Sequence, residues 1–349
     1  MTTVAEPAMI RLARESRGKD QTAVAEAIGI KQPTYSKIER GEVRPSAEQV
    51  GRLAAALDYP PSFFEQTDRL WGTASPHHRK RKSFRPREIE QLEAQLNVYR
   101  IALRRLMSSV EITSPFTIPS LGIDDPGIGS PGDVARQVRR LFRIPSGPIA
   151  SVTQTLEDAG CIIIAKWFSH DRFDAISIWA PSEQPMILMN ATYSGDRRRW
   201  TLAHELGHLV MHWEGVTDDP EGEASAFAQE YLMPADEIHP ELRGLRFTDL
   251  PDLKRRWGVS MRALVYRARD LGELTRDQVR YLMMRLNHAY GAKWEPIEIP
   301  KEEPTLAQGI LEYYRQELGY SVDELAAAAR RTTSDFATSF GLAPQLQVV

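Results

Sequence analysis

The stretch "RRRWTLAHELGHLVMH", Arg197–His212, carries three histidines and one glutamate among apolar residues at helical spacing. His204 and His208 stand at i and i+4. On a helix that spacing stacks two imidazoles on one face, one turn apart, close enough to share a Zn²⁺ ion. Glu205, next to the first histidine, is placed to take a proton from a water activated by the metal. Leu202, Leu206, Leu209 and Val210 fill the rest of the helix. His212 extends the stripe by one more turn and reads first as a capping or packed residue.

A catalytic zinc site takes three protein ligands and leaves one position open. The next helix, "EGEASAFAQEYLMP", offers Glu221 and Glu223. Glu223 is the expected ligand, because it directly precedes the small-residue face Ala224, Phe227 and Ala228. Glu221 is the alternative, and Glu214 lies too near the end of the first helix. Upstream, "CIIIA", "AISIWA" and "PMILMN" are short apolar runs bounded by turn formers, which predicts three strands. "VARQVRRLF" and "SVTQTLEDAG" read as helices. The chain is helical again from Glu221 to about Asn287, broken by "GLRFTDLP", and 305–340 is a last small helical piece.

The first 66 residues read differently. Short helices end at Gly18, Gly29 and Gly41, and Ser46 caps the next one. Two of these helices join through "GIK", where Gly29 permits the sharp turn. The second offers Gln32, Thr34, Ser36, Lys37 and Arg40, side chains that reach base edges and phosphates when the helix enters a major groove. Gln21 opens the preceding helix, where free backbone N–H groups favour a phosphate. Ile28, Ile30, Tyr35 and Ile38 are the expected apolar lock.

Between these regions lies "TASPHHRKRKSFRPRE" (Thr73–Glu88), read as a basic linker. Residues 69–109 hold ten Lys/Arg and three acids, whereas residues 1–65 hold nine of each sign. Phosphate attraction therefore rests on the linker as much as on the helices. Ile89, Leu92, Leu96, Tyr99, Leu103, Leu106 and Val110 follow a heptad spacing, which predicts a homodimer seam; a long helix packed on its own chain has the same pattern. The chain has 349 residues, 42% hydrophobic and 26% charged, with a net charge of −3. The sole cysteine, Cys161, excludes an intrachain disulfide and reads as a buried, inert thiol. No apolar run has membrane-spanning length. A cytoplasmic protein with no membrane partner is expected.

The stretch "QTAVAEAIGIKQPTYSKIERGEVRPSAEQVGRLAAAL" resembles the Xre/Cro-like repressor family. Residues 130–240 resemble the ImmA/IrrE family of zinc metallopeptidases, on "GPIASVTQTLEDAGCIII", "PMILMN", "RRRWTLAHELGHLVMH" and "EGEASAFAQEYLMP". The resemblance implies His204, His208 and Glu223 as zinc ligands and Glu205 as the base. Ser225 stands where that family often has Asn, at a position expected to orient a ligand. Leu250–Leu274 looks like the segment that follows the peptidase in fused proteins of this kind. It reads as a packing element, with a second helix-turn-helix as the alternative.

The fold expected is mainly α with a small sheet (α+β). It comprises a helix-turn-helix bundle at 1–66, a basic linker and long heptad helix at 67–112, a gluzincin-like metallopeptidase domain at 130–245 and a helical region at 246–349. The function expected is a transcription regulator that binds a double-stranded operator and carries a zinc endopeptidase. Its substrate would be an Xre-type repressor or the chain itself, in a stress or mobile-element response. The alternatives are a regulator whose metal domain is a non-proteolytic sensor or scaffold, and an antitoxin-like module that binds a partner protein.

Overall fold

A computed structural model describes residues 5–72, 86–108, 110, 113–168, 173–212, 217–291 and 294–342. Most of the basic linker and Glu214 lie outside the described residues. The fold is mainly helical with one three-stranded sheet. No described helix is long and apolar enough to cross a membrane. The chain groups into two compact units: residues 1–113, 180–183 and 306–349 form one, and residues 114–179 and 184–305 the other. The region 246–349 is thus divided between them, at the start of the last helical piece expected at 305–340.

The first unit opens with α1 (Pro7–Ser16), α2 (Gln21–Ala27), α3 (Gln32–Glu39) and α4 (Ala47–Leu57). Their ends follow local chemistry. Asp20 accepts a bond from the Ala23 N–H, and Ser46 and Gln49 form a reciprocal capping box. Gly29 turns the chain at φ 74°, a value that costs other residues a steric penalty. Ile28, Tyr35 and Ile38 are fully buried with Met9, Ile10, Val24, Leu53 and Phe64, and Ile30 packs against that cluster. Each such side chain contributes about 1.5–3 kcal/mol by leaving water.

The heptad residues lie on α5 (Pro86–Met107). Leu96 and Leu103 are 0% exposed within the single chain, and Ile89, Leu92, Tyr99 and Leu106 are also buried. Off the seam, Ala94, Val98 and Ile101 join the helix-turn-helix core. The face is thus filled by the unit's own side chains, the second of the two readings that the spacing allowed. Three further helices, α14 (Leu306–Gln316), α15 (Val322–Ala328) and α16 (Thr333–Ser339), belong to the same unit. The Tyr314 hydroxyl donates to the Leu106 carbonyl, the Tyr99 ring meets Phe340 edge-on at 5.5 Å, and Arg17 pairs with Asp335 at 2.6 Å.

The second unit contains α6 (Pro131–Leu141), α7 (Val152–Asp158), and strands β1 (Ile162–Lys166), β2 (Ala175–Ile178) and β3 (Met186–Asn190). Sheet order is β1-β3-β2, with β3 central, parallel to β1 and antiparallel to β2. All three predicted runs form strands, and Cys161 is fully buried just before β1. Then come α8 (Gly195–Met211), α9 (Pro220–Leu232), α10 (Ala235–Leu242), α11 (Leu250–Trp257), α12 (Met261–Asp270) and α13 (Arg276–Tyr290). Helix α8 lies against β2, β3, α7 and α9. The approach of α9 is close at Gly207, where an added methyl carbon would stand 3.2 Å from the Ala224 Cα. Residues 295–305 tie the unit together. Glu295 accepts from Lys254 at 2.8 Å and from the Met261 N–H at 2.9 Å, and Glu302 pairs with Arg199.

Candidate metal centre and DNA-reading helix

Helix α8 presents His204 and His208 toward α9, as the i, i+4 spacing requires. Their Nε2 atoms are 3.1 Å apart. A carboxylate of α9 completes the group: Glu221 places one oxygen 3.6 Å from His204 Nε2 and the other 3.5 Å from His208 Nε2. Zinc bound tetrahedrally at about 2.0–2.1 Å separates its donor atoms by roughly 3.3 Å. The donor atoms of the three residues all lie within 4.8 Å of one another, a group that could hold one metal ion. Among the described residues this is the one cluster of three or more such side chains with metal-ligand geometry.

The structure brings Glu221, not Glu223, to the two histidines. This corrects the placement expected from the sequence, and the reason is helical geometry. Ala224 is the α9 residue pressed on Gly207 of α8. The residue stacked on the same face, one turn earlier, is three positions back, at 221. Glu223 is adjacent in sequence to Ala224 and so is turned away by about 100°. Its carboxylate instead accepts from His212 Nε2 at 3.0 Å and from the Thr217 hydroxyl. His212 closes α8 as its C-cap, as a capping histidine would, but its ring also reaches His208, Nδ1 to Nδ1, at 2.8 Å. Ser225 stands with its hydroxyl 3.4 Å from His204 Nδ1, on the side away from the ligand nitrogen.

Glu205 is not part of the donor cluster. It is 2% exposed, and the Ser177 hydroxyl donates to it at 2.7 Å. Sequence reading missed Ser177. Its signal was present: one hydroxyl in the otherwise apolar run "AISIWA", at a position the strand buries completely. A buried hydroxyl needs a partner, and here the partner is the candidate base. Burial pushes the His208 and His212 imidazoles below the usual histidine value, against the opposing pull of Glu221 and Glu223. Neutral rings are the form that can ligate a metal.

In the first unit, Gln21 and Gln32 open α2 and α3 and bond each other, Gln32 Nε2 to Gln21 Oε1 at 2.8 Å. Gln21 in turn donates to Glu39 at 2.8 Å, and Arg14 holds Glu39 at 2.6 Å. A chain of four side chains thus fixes the start of the candidate reading helix. Thr34 and Ser36 are half-buried, and Lys37 and Arg40 are exposed. Arg40 is engaged with Glu42 at 2.6 Å and with the Ser36 hydroxyl at 2.7 Å. Of the six candidate contact residues, Lys37 leaves the greatest charge open to solvent.

Residues 10–64 match the family model described as helix-turn-helix, and residues 156–269 match the one described as the IrrE N-terminal-like domain, a peptidase family. No curated protein matches the chain. The two matches place a DNA-binding type of module and a metallopeptidase-like module in one polypeptide.

Proposed function

We propose that the chain is a DNA-binding transcription regulator whose second unit is a zinc-dependent endopeptidase. It would act on an Xre-type repressor, or on another copy of itself, in a stress or mobile-element response. The observation that carries this reading is the arrangement around α8: two histidines and Glu221 at zinc-donor separations, with a second carboxylate, Glu205, beside them and outside the donor set. A site that only stored a metal would have no use for that carboxylate.

His204, His208 and Glu221 would hold the ion. Zinc, when bound, supplies a Lewis acid that polarises a peptide carbonyl and lowers the pKa of water. Glu205 takes the proton of the attacking water and returns it to the leaving amine. Ser177 keeps the Glu205 carboxylate in one orientation by donating to one of its oxygens. A regulator with a non-proteolytic metal sensor is the second reading, favoured by the near-complete burial of Glu205. The two readings separate when the zinc-loaded full chain is incubated with Xre-type repressors and with itself. New peptide termini by mass spectrometry support the peptidase, and intact chains in every mixture leave the sensor.

On the DNA side, α3 is the proposed reading helix and a double-stranded operator the partner. Gln32→Ala should weaken operator binding by about 1–3 kcal/mol and relax specificity at one position. Lys37→Ala should lower affinity evenly across sequences and reduce the salt slope by about one. Unchanged binding in the double variant would remove α3 from the interface.

A further inference from the structure

The geometry points to His212 and Glu223 as positioning residues for the metal site, a relay that fixes which nitrogen of His208 faces the ion. The inference rests on the zinc reading above and adds two residues that make no contact with the donor cluster's centre.

With both rings neutral, the hydrogen bonds from Glu223 inward run one way. The Glu223 carboxylate can only accept, so His212 Nε2–H must donate across the 3.0 Å contact. A neutral imidazole carries one N–H, so His212 Nδ1 is then bare and must accept. The atom facing it at 2.8 Å is His208 Nδ1, which therefore carries the proton. That places the His208 lone pair on Nε2, the atom 3.1 Å from His204 Nε2 and 3.5 Å from Glu221. The carboxylate thus dictates, through one intervening ring, the tautomer a metal ligand needs.

The relay is well supported at its far end. The Thr217 hydroxyl donates to the second Glu223 oxygen. Both rings are buried against the two helices, with the His212 and Glu223 side chains 5% and 18% exposed. The ring centroids of His208 and His212 lie 5.0 Å apart with the planes tilted by 56°, an arrangement compatible with the nitrogen–nitrogen bond. A histidine present only to close the helix would need neither Glu223 nor this orientation, because the cap of α8 is made by its backbone N–H to the His208 carbonyl. Behind the other candidate ligand, His204, the partner among the described residues is the Ser225 hydroxyl at 3.4 Å. Orientation of the pair therefore falls mainly on His208.

The test is zinc affinity of the full chain by competition with a chelator, together with the visible spectrum of the Co²⁺-loaded protein. Loss of a histidine ligand's hydrogen-bond partner typically weakens metal binding about 10–100-fold. His212→Ala and Glu223→Ala should each do so and should alter the Co²⁺ bands. His212→Asn, whose carbonyl oxygen can accept from His208 Nδ1–H, should recover most of the loss. Ring-¹⁵N spectra of the metal-free protein should show His208 protonated at Nδ1 in the wild type and mixed in His212→Ala. Wild-type zinc affinity and spectra in both alanine variants would overturn the relay while leaving the metal site standing. A wild-type chain that binds no zinc would overturn both.

Discussion

The Glu205→Gln protein is expected to keep wild-type zinc content and operator affinity while losing about 10²–10⁴-fold in cleavage rate, the usual contribution of a general base. The amide has the shape of the carboxylate and still accepts the Ser177 hydroxyl that Glu205 accepts at 2.7 Å. It cannot take a proton. Glu205 lies outside the donor cluster, so its loss removes no zinc ligand. Helix α8 is otherwise unchanged, so the unit should melt within a few degrees of the wild type. The measurement is the rate of new termini formed on whichever protein the wild type cleaves. Cleavage at the wild-type rate would assign the base to another group.

Leu103→Asp is expected to unfold the first unit and abolish operator binding. Leu103 is 0% exposed in α5. Removing a buried leucine costs about 2–5 kcal/mol. Burying an unpaired polar group adds a further few kcal/mol. Together these approach the whole stability of an ordinary domain, about 5–15 kcal/mol. Circular dichroism should lose helix, and a thermal transition should disappear. If α5 instead formed a seam between two copies, the same change would give a folded monomer. Light scattering beside the melt separates the two results, and a folded monomer would restore the seam.

How far the sequence could be read varies with the physics involved. The i, i+4 histidines, the glycine-ended helices and the three apolar runs are short-range signals, and the helices and strands they predict stand at those positions. The partner of the histidine pair is a tertiary question. Choosing Glu223 over Glu221 required knowing which residue of α9 touches Gly207, and proximity to a small-residue face is not the same as lying on it. The heptad was ambiguous for a related reason. Period alone says that a helix face is apolar, not what covers it, and here α14–α16 arrive from the far end of the chain to share a unit with α5. Ser177 stood out only as one hydroxyl in an apolar run, with nothing local to name its partner, and the Arg14–Glu39–Gln21–Gln32 chain links residues distant in sequence.

The central claim is that His204, His208 and Glu221 hold zinc beside a base that is not a ligand. Its most direct test is metal analysis of the zinc-loaded full chain after gel filtration into metal-free buffer. The account predicts about one zinc per chain in the wild type and in Glu205→Gln, and loss of the metal in His204→Ala and Glu221→Ala. Full zinc in Glu221→Ala, or a wild-type chain that retains none, would contradict it.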